Sequence, residues 1–146
     1  MTDLEQTLRL FSNARVLRAL DEPGRRRLLE ASQACTFPDG AVVVREGDPG
    51  DALYIIVEGI ASVTADDLGS EKPVAELTDG AIFGEMGVIT NQPRSATVSA
   101  RGELKALKIP REAIRKILED YPKVRELVAK IGVARTEDTM EKMLQD

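Results

Sequence analysis

The amino-acid sequence predicts an α+β fold, in which an eight-stranded antiparallel β-roll (jelly-roll-like) is flanked by N-terminal and C-terminal helices. Apolar residues recur at helical spacing before about residue 34 and again after residue 110. Between these ends lie short β-branched runs, separated by glycine-bearing turns every 8–12 residues or so. The chain has 146 residues, of which 42% are hydrophobic, and this suits one ordinary domain. Residues 1–146 are therefore predicted to form a single domain.

The first helical segment is predicted over residues 3–34, approximately. Leu4, Leu8 and Phe11 recur at the spacing that places side chains on one helix face. Asp21 precedes Glu22-Pro23, an arrangement typical of an N-cap followed by proline in the first turn. A second helix is therefore expected to begin there.

The β-roll is predicted over residues 36–109, approximately. Glu58-Gly59 is interpreted as a tight reversal between two strands, and residues 65–72 as a polar loop. Strands are expected at residues 41–44, 53–57, 60–64, 74–77, 81–83, 95–100 and 103–109.

The last helical segment is predicted over residues 110–134, with a break at Tyr121-Pro122. Residues 135–146 are expected to form a polar tail. Met140 and Met143 keep helical spacing in that tail, so it either extends the helix or contacts a partner.

Composition argues against several classes of function. The chain has 20 Lys and Arg against 25 Asp and Glu, whereas proteins that bind the nucleic-acid backbone usually present a basic face. The chain has no histidine, and this removes the imidazole that many general bases and metal sites use. We therefore expect no enzymatic activity, no metal and no nucleic-acid partner.

The sequence also indicates a compartment. Cys35 is the single cysteine, so no internal disulfide forms, and a reducing environment fits. The N-terminal MTDLEQTLRL lacks the long apolar run of a signal peptide. No stretch approaches the ~20 apolar residues that cross a bilayer. We expect no membrane span and a cytoplasmic location.

The segment with candidate chemistry lies between two predicted strands, at residues 84–95. Gly84 and Gly87 let the backbone pass close to a ligand and expose N–H groups. A short helix beginning near Glu85 would direct its amide donors at a phosphate. Arg94 supplies a planar, permanently charged fork that matches phosphate oxygens, and Glu85 supplies an acceptor for a sugar hydroxyl. These features favour a site for a small anion.

The same segment resembles the cyclic nucleotide-binding domains. Phe83-Gly84-Glu85-Met86, followed by Pro93-Arg94-Ser95-Ala96-Thr97, is similar to that family's phosphate-binding cassette, with the usual spacing from glutamate to arginine. We call residues 83–97 the cassette. The upstream run REGDPGDALYII, residues 45–56, also matches, as does Gly59. The resemblance covers roughly residues 8–134, and two separated motifs in the right order carry it.

The resemblance implies a role for each matching residue. Glu85 would accept a hydrogen bond from the ribose 2′-hydroxyl, and Arg94 would pair with the cyclic phosphate. Ser95, where family members vary, would contact the phosphate or a guanine, or would be an ordinary strand serine. The remaining implied contacts are Phe83, Gly84, Met86, Gly87 and Ala96 in the cassette, and Val74 and Ile82 against the base.

Two departures from the family pattern concern the cassette and the lid. Many relatives have Ala or Leu at Gly87, and glycine within a helix costs about 1 kcal/mol. No aromatic residue follows Tyr121 to cover the base, which leaves Val128, Ile131 or Arg135 as the lid. Arg135 would stack its guanidinium on the purine, or would be a solvated arginine at the helix end.

The function that follows is a non-enzymatic regulatory module that binds a cyclic nucleotide, cyclic AMP in preference to cyclic GMP, and needs no other cofactor. It would signal through its terminal helices to an effector protein that the sequence does not identify, and apolar positions on those helices would permit a homodimer. The alternative is a degenerate adaptor that keeps the fold without the ligand. A cupin-like enzyme would need metal-binding histidines, and a transcription factor would need a helix-turn-helix in the twelve residues after residue 134.

Overall fold

The computed structural model describes residues 14–90 and 93–143, which contain five helices and six strands. The helices are α1 (Arg15–Ala19), α2 (Glu22–Ala31), α3 (Glu85–Thr90), α4 (Arg111–Asp120) and α5 (Pro122–Met143). The strands are β1 (Gln33–Phe37), β2 (Val42–Val44), β3 (Ala52–Asp67), β4 (Ser70–Leu77), β5 (Ile82–Phe83) and β6 (Thr97–Pro110). The helix predicted over residues 3–13 lies outside the described residues.

The six strands form one antiparallel sheet. The strand order is β1-β6-β3-β4, with β2 paired to β6 and β5 paired to β3. Helices precede and follow this sheet in the chain, and α3 interrupts it between β5 and β6. The predicted fold class, an antiparallel β-roll with helices at both ends, is confirmed.

The number of strands is corrected from eight to six within the described residues. The strands predicted at 53–57 and 60–64 form β3, of 16 residues, and those predicted at 95–100 and 103–109 form β6, of 14 residues, while β1 lies where no strand was predicted. The predicted reversal at Glu58-Gly59 does not occur. The strand bends there instead, with irregular register on both sides of Glu58 and a φ of +119° at Gly59. The predicted polar loop is a two-residue turn, Leu68-Gly69, whose positive φ angles suit a tight hairpin.

Two hydrophobic clusters lie on opposite faces of the sheet. Residues 52–56 of β3 are all buried, because alternate side chains enter different clusters. Tyr54 and Ile56 belong to the cluster inside the roll, and Leu53 and Ile55 belong to the cluster that packs against the helices. A strand covered on both faces therefore appears in the sequence as a continuous apolar run.

The predicted helix boundaries are largely reproduced. Asp21 caps α2, because its carboxylate accepts a hydrogen bond from Gly24 N–H at 2.8 Å. The break at Tyr121 separates α4 from α5, which begins at Pro122. The backbone of α5 remains helical through Met143, so the segment predicted as a polar tail is helical over residues 135–143. Whether residues 1–146 form a single domain stays a prediction.

Within residues 14–90 and 93–143, every helix lacks the length or the apolar composition that crossing a bilayer requires.

Asp21 also joins the two helical ends of the chain. Its carboxylate accepts a hydrogen bond from the Tyr121 hydroxyl at 2.7 Å as well as from Gly24 N–H. These two hydrogen bonds, the Tyr121 one first, hold the pKa of Asp21 below its ordinary value of 3.8. The ionised carboxylate thus stabilises the fold above its unfolded-state pKa, and this stabilisation is lost as pH falls through the folded-state pKa.

We expect Asp21→Asn to be less stable than the wild type at neutral pH and to approach it in stability as pH falls to about 3. Asparagine still caps the helix but does not titrate. Urea unfolding midpoints across this pH range measure the difference. Tyr121→Phe, which removes one donor, should reduce the same pH dependence. Parallel curves for wild type and Asp21→Asn would show that Asp21 has no such role.

Candidate functional site

The candidate site is organised around the buried side chain of Arg94. The residue is 6% exposed. Its Nη2 donates to the Ala52 carbonyl at 2.9 Å and to the Asp51 carboxylate at 3.3 Å. Neither Nε nor Nη1 has a hydrogen-bond partner among residues 14–90 and 93–143. A permanently charged group with two unsatisfied donors is therefore held inside the protein.

The backbone of Arg94 is fixed by the upstream motif. Gly47 N–H donates to the Arg94 carbonyl, and Arg94 N–H donates to the Asp48 carbonyl, each at 2.8 Å. Glu46 N–H donates to the Thr97 hydroxyl at 3.0 Å. The two motifs, at residues 45–56 and 83–97, thus form one unit.

Gly84 makes room for the guanidinium. Its φ is +86°, and a Cβ atom at this position would overlap Arg94 Nη1 and lie 2.7 Å from the Ala52 carbonyl oxygen. Both the backbone conformation and the close approach therefore require glycine.

Glu85, the first residue of α3, is the second buried charge of the site. It is 5% exposed, and its Oε1 lies 3.1 Å from Arg135 Nη1 on α5. A lone buried carboxylate would be strongly unfavourable, so this ion pair is its principal compensation. Arg135 thus contacts the cassette and is not a solvated arginine at the helix end.

The short helix α3 packs closely on the loop before β3. A Cβ atom at Gly50 would overlap the backbone of Gly87, so the two backbones touch. Gly87 itself is buried, and Val88 enters the cluster that faces the helices. Gly87, where this chain departs from the family pattern, therefore lies at the contact between α3 and the loop before β3.

The other predicted site residues are distributed on several surfaces. Phe83 stacks on Tyr54 inside the roll, with ring centroids 4.8 Å apart and planes 4° from parallel. Ile82 points to the opposite face, into the helix-facing cluster. Val74 is buried, Ser95 is exposed and Ala96 is half-buried. The side chain of Met86 lies outside the described part of the chain.

Ile82 and Arg135 border the same cleft on the helical side of the roll. The cleft has a volume of about 290 Å³ and lies between α1, the turn before β5 and α5. The structure thus brings Ile82 near α5, whereas Phe83 and Tyr54 face the interior of the roll.

Two contributors to the site had no role in the sequence-based prediction. Asp51 and the carbonyl of Ala52 hold Arg94, and both lie in the quoted REGDPGDALYII run. Tyr54, two residues after Ala52 in β3, is buried, and this burial, followed by the Asp51 carboxylate, raises the pKa of its phenol. The signal for Asp51 in the sequence was its place as an acidic residue in the REGDPGDALYII run, which accompanies Arg94.

Within the residues that the structure describes, no group of three or more His, Cys, Asp or Glu side chains is arranged to hold a metal ion.

Comparison with known proteins identifies relatives over most of the chain. The family model of the cyclic nucleotide-binding domain matches residues 34–121. A cAMP-dependent protein kinase regulatory subunit of Dictyostelium discoideum is 39% identical over 106 residues, which cover 70% of this chain and 32% of that protein. A cyclic nucleotide-gated potassium channel of Mesorhizobium japonicum is 38% identical over 108 residues, covering 74% and 29%. The chain thus spans about a third of the length of these relatives.

Solved structures show the same architecture. The regulatory domain of Toxoplasma gondii PKA, crystallised with cAMP, superimposes with a TM-score of 0.79 at 27% identity, covering 88% of this chain and 50% of that one.

We expect Gly84→Ala to lower the free energy of unfolding by about 1–3 kcal/mol more than Gly40→Ala does. Both glycines have nearly the same φ, +86° and +82°, but a Cβ atom at Gly40 meets nothing within 4 Å. The control therefore includes the backbone strain without the overlap with Arg94. Urea denaturation of both variants measures the difference, and equal losses would contradict the packing of Arg94 against Gly84.

Proposed function

Because the chain belongs to the cyclic nucleotide-binding domain family, we propose that it is a regulatory module that binds a cyclic nucleotide, cyclic AMP in preference to cyclic GMP, and that it catalyses no reaction. The observation that carries this proposal is the buried guanidinium of Arg94 with two unsatisfied donors. The cytoplasmic location expected from the sequence is part of the same proposal.

Arg94 supplies the affinity for the phosphate. Buried donors without acceptors are unfavourable and rare in folded proteins, so a buried arginine of this kind is most readily explained by an anionic partner. The cyclic phosphate has one negative charge and oxygens that accept charge-assisted hydrogen bonds. Nε and Nη1 are the donors available to it, while Nη2 stays on Asp51 and Ala52.

Glu85 supplies the acceptor for the ribose. Its Oε1 is paired with Arg135, and a carboxylate has a second oxygen with its own lone pairs. The 2′-hydroxyl would donate to this carboxylate while Arg135 stays in place.

The preference for cyclic AMP has support from relatives alone. The Dictyostelium relative is named a cAMP-dependent regulatory subunit, and the Toxoplasma structure was solved with cAMP. Val74 and Ile82 stay predicted contacts of the base, and Ser95 stays the predicted position that distinguishes adenine from guanine.

Transmission to an effector would proceed through the C-terminal helices, α4 and α5. Arg135 connects α5 to the cassette, so α5 is the proposed lid. A ligand shifts the position of this helix only by its difference in affinity between the covered and uncovered states. The effector itself, and any homodimer, stay predictions.

We expect Arg94→Met to weaken cyclic AMP binding by about 100-fold, because charge-assisted hydrogen bonds to the phosphate are lost. Glu85→Gln should weaken it by about tenfold. Calorimetric titration with cyclic AMP and with cyclic GMP measures both affinities and the preference between the nucleotides.

The matched control is Arg101→Met, which removes an arginine whose ion pair with Glu76 lies on the surface. It should bind as the wild type does. Arg94→Met should also remain folded, since it removes two unsatisfied buried donors. A wild-type protein that binds neither nucleotide would favour the adaptor alternative instead.

The lid is tested by Arg135→Gln, with Arg135→Lys as the variant that keeps the positive charge. We expect Arg135→Gln to increase amide hydrogen exchange in residues 122–135, because α5 loses its ion pair with the cassette. Arg135→Lys should retain most of the protection. Exchange in Arg135→Gln equal to that of the wild type would remove the support for α5 as a lid.

A further inference from the structure

Helix α4 contacts the site at two points that are one helical turn apart. Arg111 N–H donates to the Asp51 carbonyl at 2.9 Å, and the Asp51 carboxylate accepts from Arg94. Arg115 Nε donates to the Val88 carbonyl of α3 at 3.1 Å. The first residue of α4 thus contacts the support of Arg94 through its backbone, and the next turn contacts α3 through a side chain.

The Arg115 hydrogen bond reaches the C-terminal half of α3. Val88 is the fourth of its six residues, and carbonyls near the C-terminal end of a helix commonly accept from groups outside the helix. The Val88 side chain is buried in the cluster that includes Ile114 and Ile117 of α4. The carbonyl of Val88 thus contacts α4, and its side chain enters the same cluster as two residues of α4.

The charge of Arg115 matches its position. A cation near the C-terminal end of a helix interacts favourably with the helix dipole. Arg115 is an exposed residue, so its side chain is oriented by the Nε hydrogen bond and not by packing.

We propose that Arg115 is a positioning residue that holds α3 against α4, so that a shift of the cassette is transmitted to α4. The transmission on ligand binding rests on the proposed function. The positioning of α3 by Arg115 concerns the ligand-free protein and does not depend on that function.

The test compares Arg115→Gln with Arg115→Met. The amide nitrogen of glutamine is the same number of bonds from Cα as Nε of arginine, so glutamine keeps a donor for Val88 without the charge. Methionine has similar length and no donor. Lys116→Met, on the exposed side of the same helix, is the control for removing a surface cation.

In the ligand-free protein, Arg115→Met should increase amide exchange of residues 85–90 by about tenfold, the effect of one lost hydrogen bond. Lys116→Met should exchange as the wild type does, and Arg115→Gln, which loses only the interaction of the charge with the helix dipole, should lie much closer to the wild type than to Arg115→Met. Wild-type exchange in Arg115→Met, or equal acceleration in Arg115→Gln, would overturn the proposal.

With cyclic AMP added, the wild type and Arg115→Gln should show slower exchange in residues 111–120. Arg115→Met should bind with affinity within a few-fold of the wild type but show clearly less slowing in α4, because the Asp51–Arg111 hydrogen bond remains. Slowing of α4 exchange in Arg115→Met equal to that of the wild type would refute transmission through Arg115. A wild type that gives no binding in calorimetry would refute the proposed function, and the ligand-free comparison would still decide whether Arg115 positions α3.

Discussion

The structure depends on one unfavourable interaction, the burial of the Arg94 guanidinium. Removing a cation from water is costly unless hydrogen bonds and an opposite charge compensate it. Here the compensation is one carbonyl, Ala52, and one carboxylate, Asp51, whose side chain is largely exposed at 69%. An exposed partner is screened by solvent and contributes little. The fold therefore maintains a charge that it only partly stabilises, which is typical of a binding site and not of a core.

Several features of the sequence follow from holding that charge in place. Gly84 is required because any side chain would occupy the space of the guanidinium. The turn-rich segment at residues 47–51 supplies backbone hydrogen bonds to Arg94 and a glycine against which α3 packs. A binding motif that appears as two separate sequence patterns is thus a single packed unit, and this explains why the two patterns occur together.

The parts that the sequence predicted well are local. The helix cap at Asp21, the break at Tyr121 and the short helix that begins at Glu85 depend on residue types within a few positions of one another. The number of strands could not be predicted in this way, because Gly59 permits either a reversal or a bend, and the choice depends on pairing with β6. The orientation of Ile82 likewise depends on strand register, and the Arg115 contact joins residues 27 positions apart. Contacts between residues far apart in the chain leave no periodic pattern in the amino-acid sequence from which they could be predicted.

Affinity and transmission depend on different but connected contacts in this fold. The Asp51 carboxylate and the Ala52 carbonyl hold Arg94 from the loop before β3 and its first residue, while the Asp51 carbonyl accepts from Arg111 N–H of α4. A ligand changes a conformational equilibrium only through contacts that differ between the two states. The polar contacts that join the site to the helices include those of Glu85 with Arg135, of Val88 with Arg115 and of Asp51 with Arg111, and the Val88 side chain enters the helix-facing cluster. A response of the helices would arise from contacts of this kind, whereas the hydrogen bonds that hold Arg94 come from the roll and its loops.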